Sequence, residues 1–159
     1  MLREKQGGTS VGERSEWSDR IAIMDLLDVY AESVDRRRFE QLEDVFTEDV
    51  EFDYGPDWHI VGRKEAIERI ADSLKHCGPT QHLVGNYRIQ LDGDTATSRI
   101  YTRAYHVGIG AAAGKSYEMG GHLRDAYVFA DGVWRMSRRV GRMIFEAGSH
   151  DVLNPAGAA

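Results

Sequence analysis

Apolar residues are scarce over the first 16 positions, where Gly7, Gly8 and Gly12 lie among charges, and begin to recur at Trp17. Residues 1–16 therefore read as a polar tail, 17–148 as one domain and 149–159 as a second tail. Ile21, Met24, Leu27, Val29, Tyr30 and Val34 return at roughly helical spacing. This predicts a first helix running to Asp35, with Ser18 or Asp19 as its N-cap. A basic break, Arg36 to Arg38, leads to a short amphipathic piece in which Phe39, Leu42 and Phe46 share a face. Val50 to Tyr54 then alternates as a strand does. Gly55-Pro56-Asp57 supplies a turn, and Trp58 to Val61 returns as the other arm of a hairpin. Ala66, Ile67, Ile70 and Leu74 restore a helical stripe that stops before Gly78-Pro79.

Beyond Pro79 the periods are those of strands: 81–91, 95–109, 115–129 and 133–145. Asp92-Gly93, the Ala/Gly loop 108–114 and Asp131-Gly132 separate them. Three helices followed by an antiparallel meander, with no βαβ alternation, predict an α+β fold with helices on one face of a curved sheet.

Composition narrows the function. The chain has 159 residues and a net charge of −6, which allows one unstapled core and argues against a nucleic-acid partner, whose phosphates demand Lys and Arg. No uncharged apolar run approaches the roughly 18 residues of a membrane span. The charged N-terminus lacks a secretion signal's apolar core, so the expected setting is cytoplasmic. A lone Cys77 excludes an internal disulfide framework and a Cys-rich zinc site. His59, His76, His122 and His150 show no metal-ligand spacing, and HExxH, GxGxxG and a nucleophile elbow are all absent. Neither metal nor cofactor is expected, which leaves a small molecule or another protein as partner.

Three residues stand out chemically. Asp35 closes a helix, where the dipole disfavours a carboxylate, although the following arginines could equally neutralise it. His82 opens a strand whose near face would carry His82, Val84 and Asn86. His106 ends a strand with Ser98, Ile100, Thr102 and Ala104 on its small, largely apolar face. Each histidine could instead be a satisfied structural residue, and Tyr54 a core aromatic. Arg135, Arg138 and Arg139 read as a solvated or interface stripe.

Four segments, YAESVDRRRFEQLEDVF, EFDY, TQHLVGN and DGVW, resemble the NTF2-like, SnoaL-type superfamily and, within it, the scytalone dehydratase group. The likeness runs from about Asp19 to Phe145. The resemblance implies a cone: a bent sheet round a pocket, closed by helices. It also implies an Asp35–His82 dyad in which the acid orients the base, with His106 and Tyr54 polarising a substrate carbonyl. The related bile-acid dehydratases suggest Tyr30 and Arg142 as substrate-binding residues beside Asn86, and the family implies a homodimer or homotrimer. Where scytalone dehydratase has a tyrosine before the acid this chain has Val34, and its later serine and asparagine fall near Gly121 and Leu123. Three readings stay open: a dehydratase; a cyclase, isomerase or dehydrohalogenase of the same superfamily; or a non-catalytic module like the β subunits of ring-hydroxylating dioxygenases.

Overall fold

The computed structural model describes residues 14–56 and 58–154; the expected N-terminal tail lies mostly outside these residues, whereas His150–Val152 of the expected C-terminal tail form a 3-10 turn that buries Val152. Helix α1 spans Glu16–Asp35. Its N-cap is Ser15, not Ser18 or Asp19: the Ser15 and Ser18 side chains exchange bonds with each other's backbone in a capping box. Asp19 is instead drawn inward by Trp134 Nε1, 2.9 Å away, and by Arg14. The buried stripe is Ile23, Leu27, Tyr30, Ala31 and Val34, while Ile21 and Val29 face outward. The amphipathic piece divides into a 3-10 turn, Phe39–Gln41, and a single helical turn, α2, Leu42–Val45. Helix α3 spans Arg63–Leu74 and buries Ala66, Ile70 and Leu74.

Six strands follow the expected order: β1 Phe46–Asp53, β2 His59–Val61, β3 Cys77–Asp92, β4 Thr95–Gly108, β5 Ser116–Ala130 and β6 Val133–Gly148. They form one curved, unclosed sheet in the order β2-β1-β6-β5-β4-β3. The α+β cone is borne out, with one departure. β1 joins β6 in parallel, so the sheet is mixed rather than purely antiparallel. Core side chains from α1, β1 and the inner sheet face, among them Leu27, Phe46, Phe52, Ile100 and Met136, are fully buried.

Two irregularities decide which side chains face inward. Between Gly85 and Arg88, β3 carries one residue more than β4 opposite, and Asn86 takes the left-handed conformation at φ 56. Asn is among the residues that tolerate this region. The bulge moves the inward set from Thr80, His82 and Val84 to Tyr87, Ile89 and Leu91, leaving Asn86 exposed. A second register shift, between Met136 and Arg138 opposite Tyr127 and Ala126, turns Arg139 inward.

Candidate active site

Asp35 is placed by the way α1 ends. Arg37 adopts φ 58, and the amides of Arg37 and Arg38 bond back to the carbonyls of Val34 (3.3 Å) and Ser33 (2.9 Å). This is a Schellman-type stop. It turns Asp35 toward β3, the edge strand, whose free backbone groups have no neighbouring strand to bond. The His82 amide donates to Asp35 Oδ2 at 2.8 Å, and His82 Nδ1 lies 2.7 Å from Oδ1. Thr80 Oγ1 donates to the same Oδ1 at 2.7 Å. Burial pushes the carboxyl up, but the ring and amide of His82 and the Thr80 hydroxyl together hold it below its ordinary value. Asp35 is therefore an anion that only accepts, which puts the neutral imidazole proton on Nδ1 and leaves a lone pair at Nε2.

His106 faces the same interior. Its ring centroid lies 5.6 Å from that of His82, with the planes nearly perpendicular. Burial, reinforced by the nearby His82, lowers its pKa to about 4. Its Nδ1 donates to the Tyr117 carbonyl at 3.3 Å, so the neutral ring presents Nε2 as an acceptor. Polarising a carbonyl requires a donor, so the expected role of His106 does not suit this tautomer.

Tyr54 stands on the inner face because Gly141 leaves room for it: a Cβ on Gly141 would come within 2.3 Å of the tyrosine ring. Burial, with Tyr30 alongside, raises its pKa well above the ordinary phenol value and outweighs the opposing pull of Arg139. Its hydroxyl thus remains a donor. Tyr30 is buried and stacks on the Arg139 guanidinium, 4.4 Å from its ring centroid.

Arg139, expected in a solvated or interface stripe, is instead buried completely by the register shift in β6. It is held bidentately by Asp125 at 2.8 Å from each oxygen, and its Nη1 has no hydrogen-bond partner. The signal that could have found it is Asp125, an acid between Leu123 and Tyr127 on the inward face of β5, which requires a buried cation. Arg142, the expected substrate ligand on this strand, lies on the outer face instead, largely exposed and paired with Asp53. Asn86 likewise lies away from the site, displaced by its bulge.

Inward rows of the sheet link these groups. Between the His82/Ala104/Met119 row and the Ser98/Asp125/Arg139 row lie Thr102 with Gly121, then Ile100 with Leu123 and Gly141. The small residues leave a chamber walled by Tyr54 and Met119, with about 20 Å³ free. Outside it, a groove of about 380 Å³ between α1 and β3 reaches Asp35 and His82.

The sequence model of the SnoaL-like domain matches residues 15–140. The chain belongs to the SnoaL-like family. An uncharacterised protein of Mycobacterium tuberculosis (strain ATCC 25618 / H37Rv), Rv2910c, is 34% identical over 133 residues, covering 83% of this chain and 90% of its own. Among solved structures, a candidate scytalone dehydratase from Novosphingobium aromaticivorans superposes with TM-score 0.78 at 25% identity, over 90% of this chain and 96% of that one. Hexachlorocyclohexane dehydrochlorinase LinA-type3 from Novosphingobium barchaimii does so with TM-score 0.74 at 20% identity, over 84% and 92%. At that identity the second likeness speaks to fold alone.

Proposed function

We propose that this SnoaL-like protein is a cofactor-independent lyase that removes water from a cyclic or polycyclic β-hydroxy carbonyl compound. One observation carries the reading: the 2.7 Å contact of Asp35 with His82 Nδ1, which leaves Nε2 free as a base. Nε2 takes the α-proton, and the electron pair it leaves forms an enolate. As the carbonyl reforms, the α–β double bond closes and the β-hydroxyl departs, taking a proton from the imidazolium to leave as water. The developing enolate oxygen is met by the Tyr54 hydroxyl, kept a donor by its burial, with the buried Arg139 guanidinium behind it under Tyr30. His106, neutral and presenting Nε2 as an acceptor, takes a hydrogen bond from the substrate's β-hydroxyl. The likeness to a candidate scytalone dehydratase supports a hydro-lyase within the superfamily.

The test is a panel of cyclic β-hydroxy ketones followed by enone absorbance. Wild type turns over at least one, and Asp35→Asn and His82→Gln lose about 10²- to 10⁴-fold on that compound. Wild-type turnover in either variant sinks the reading.

The narrow chamber favours a second reading, a non-catalytic module, because about 20 Å³ holds little more than one water. Turnover that depends on Asp35 decides against it. In either case, self-association would use the outer sheet face, where Leu83, Tyr101, Tyr105 and Phe145 are exposed.

A further inference from the structure

The residue that stops α1 occupies a position where glycine is the usual choice. Arg37 sits in the left-handed region at φ 58, a conformation that costs any side chain with a Cβ. The same stop built with glycine would be less strained, so the side chain is the feature to explain. Both terminal nitrogens of its guanidinium are engaged. Nη1 donates to the Val34 carbonyl at 2.8 Å and to Thr80 Oγ1 at 2.9 Å, and Nη2 donates to the Gly78 carbonyl at 2.8 Å. Longer contacts reach the Asp35 carbonyl at 3.4 Å and Cys77 Sγ at 3.5 Å.

The Thr80 contact has a directional consequence. Arginine can only donate, so the bond from Arg37 occupies a lone pair of Thr80 Oγ1. The single Thr80 proton is thereby committed to its other neighbour, Asp35 Oδ1, at 2.7 Å. With Oδ2 taken by the His82 amide, both carboxylate oxygens accept from the protein, and the ring of His82 must approach as an Nδ1 donor. The chain of donors runs one way: Arg37 to Thr80 to Asp35, with His82 donating from the other side.

We propose that Arg37 and Thr80 are positioning residues that aim the Asp35 carboxylate and thereby enforce the Nδ1–H tautomer of His82, the one with its base at Nε2. This rests on the dyad reading above and adds the two residues that set its direction. Neither touches the substrate. The charged groups around Asp35 are few: Arg36 is turned outward to Glu32, and His82 and His106 face it from the sheet.

The test uses nitrogen and carbon NMR on the full chain, so it needs no substrate. Thr80→Val removes the hydroxyl at nearly constant shape; Thr80→Ser keeps it; Arg37→Gly keeps the helix stop, and suits its backbone better, while deleting the guanidinium. In wild type and Thr80→Ser, His82 gives the Nδ1–H pattern. In Thr80→Val and Arg37→Gly, the Nε2–H pattern appears beside it, and the Asp35 carboxyl titrates higher than in wild type: in Thr80→Val because a donor to its charged form has gone, in Arg37→Gly because the Thr80 proton is no longer committed to it. With an active substrate, both variants lose about tenfold in kcat at little change in KM. If Thr80→Val does not fold, Thr80→Ala removes the same hydroxyl without bulk. A purely structural role for Arg37 predicts that Arg37→Gly folds as well as wild type or better and leaves both signals unmoved; that result overturns the proposal. If wild-type His82 itself lacks the Nδ1–H pattern, the dyad fails first. If wild type has it and Thr80→Val keeps it, only the positioning role falls.

Discussion

At the scale of single residues, the site is a set of polar groups that burial would penalise and that specific partners rescue. Arg139 is the clearest case: its charge is fully buried and is tolerable because Asp125 meets it bidentately and Tyr30 covers it. Arg139→Met leaves Asp125 as an unpaired buried anion. Denaturant titration should show a loss of about 3–5 kcal/mol, far more than for Arg142→Met, whose partner Asp53 stays in water. Asp35 and His82 could be singled out from sequence because an acid at a helix C-terminus and a histidine opening a strand are locally unusual. For Arg139 the only signal is indirect: Asp125 calls for a buried cation, but the run RMSRRVGR does not mark which arginine answers it. Thr80 also escaped, because a threonine hydroxyl acquires meaning only from its two neighbours in space.

At the scale of elements, periodicity located the three helices and six strands, and the errors sit at element ends, caps and bulges: β1 begins at Phe46 rather than Val50, and β3 at Cys77 rather than Gln81. Ser15 caps α1 because its side chain and that of Ser18 can bond reciprocally, a geometry that competes with the equally plausible Ser18 or Asp19. Ser15→Ala should lower the melting temperature through a loss of about 1 kcal/mol in α1, with the Asp35 and His82 resonances unmoved. The extra residue in β3 is the other decisive detail. Asn86→Val places a β-branched side chain at φ 56 and should cost about 1–2 kcal/mol by chemical denaturation. Alternation read from sequence alone carried Asn86 onto the pocket face; one inserted residue reverses every side chain beyond it.

At the scale of the whole molecule, the pH dependence of stability follows from His106. In the folded protein it stays neutral to about pH 4, whereas the unfolded chain takes up a proton near the ordinary value of 6.5. Between those values the unfolded state binds more protons, so stability falls as pH drops from 6.5 toward 4 and is complete above 6.5. Asp35, held below 3.8, adds a further loss as pH falls through its folded value. Thermal melts of His106→Asn should show a flatter slope between pH 6.5 and 4 than wild type. Sedimentation should find a dimer or trimer that Tyr101→Glu with Phe145→Glu dissociates; a monomeric wild type would refute the outer-face association. The sequence by itself determined the α+β class and the order of the elements, because these depend on local periodicity, while the family and the pairing of Asp35 with His82 came through the resemblance its motifs carry. Only the tertiary structure decided that β1 joins β6 in parallel, that Asn86 and Arg142 turn away, and that Arg139 and Thr80 turn in. Those outcomes depend on strand register and on which buried charge finds a partner, and both are settled between segments far apart in the chain.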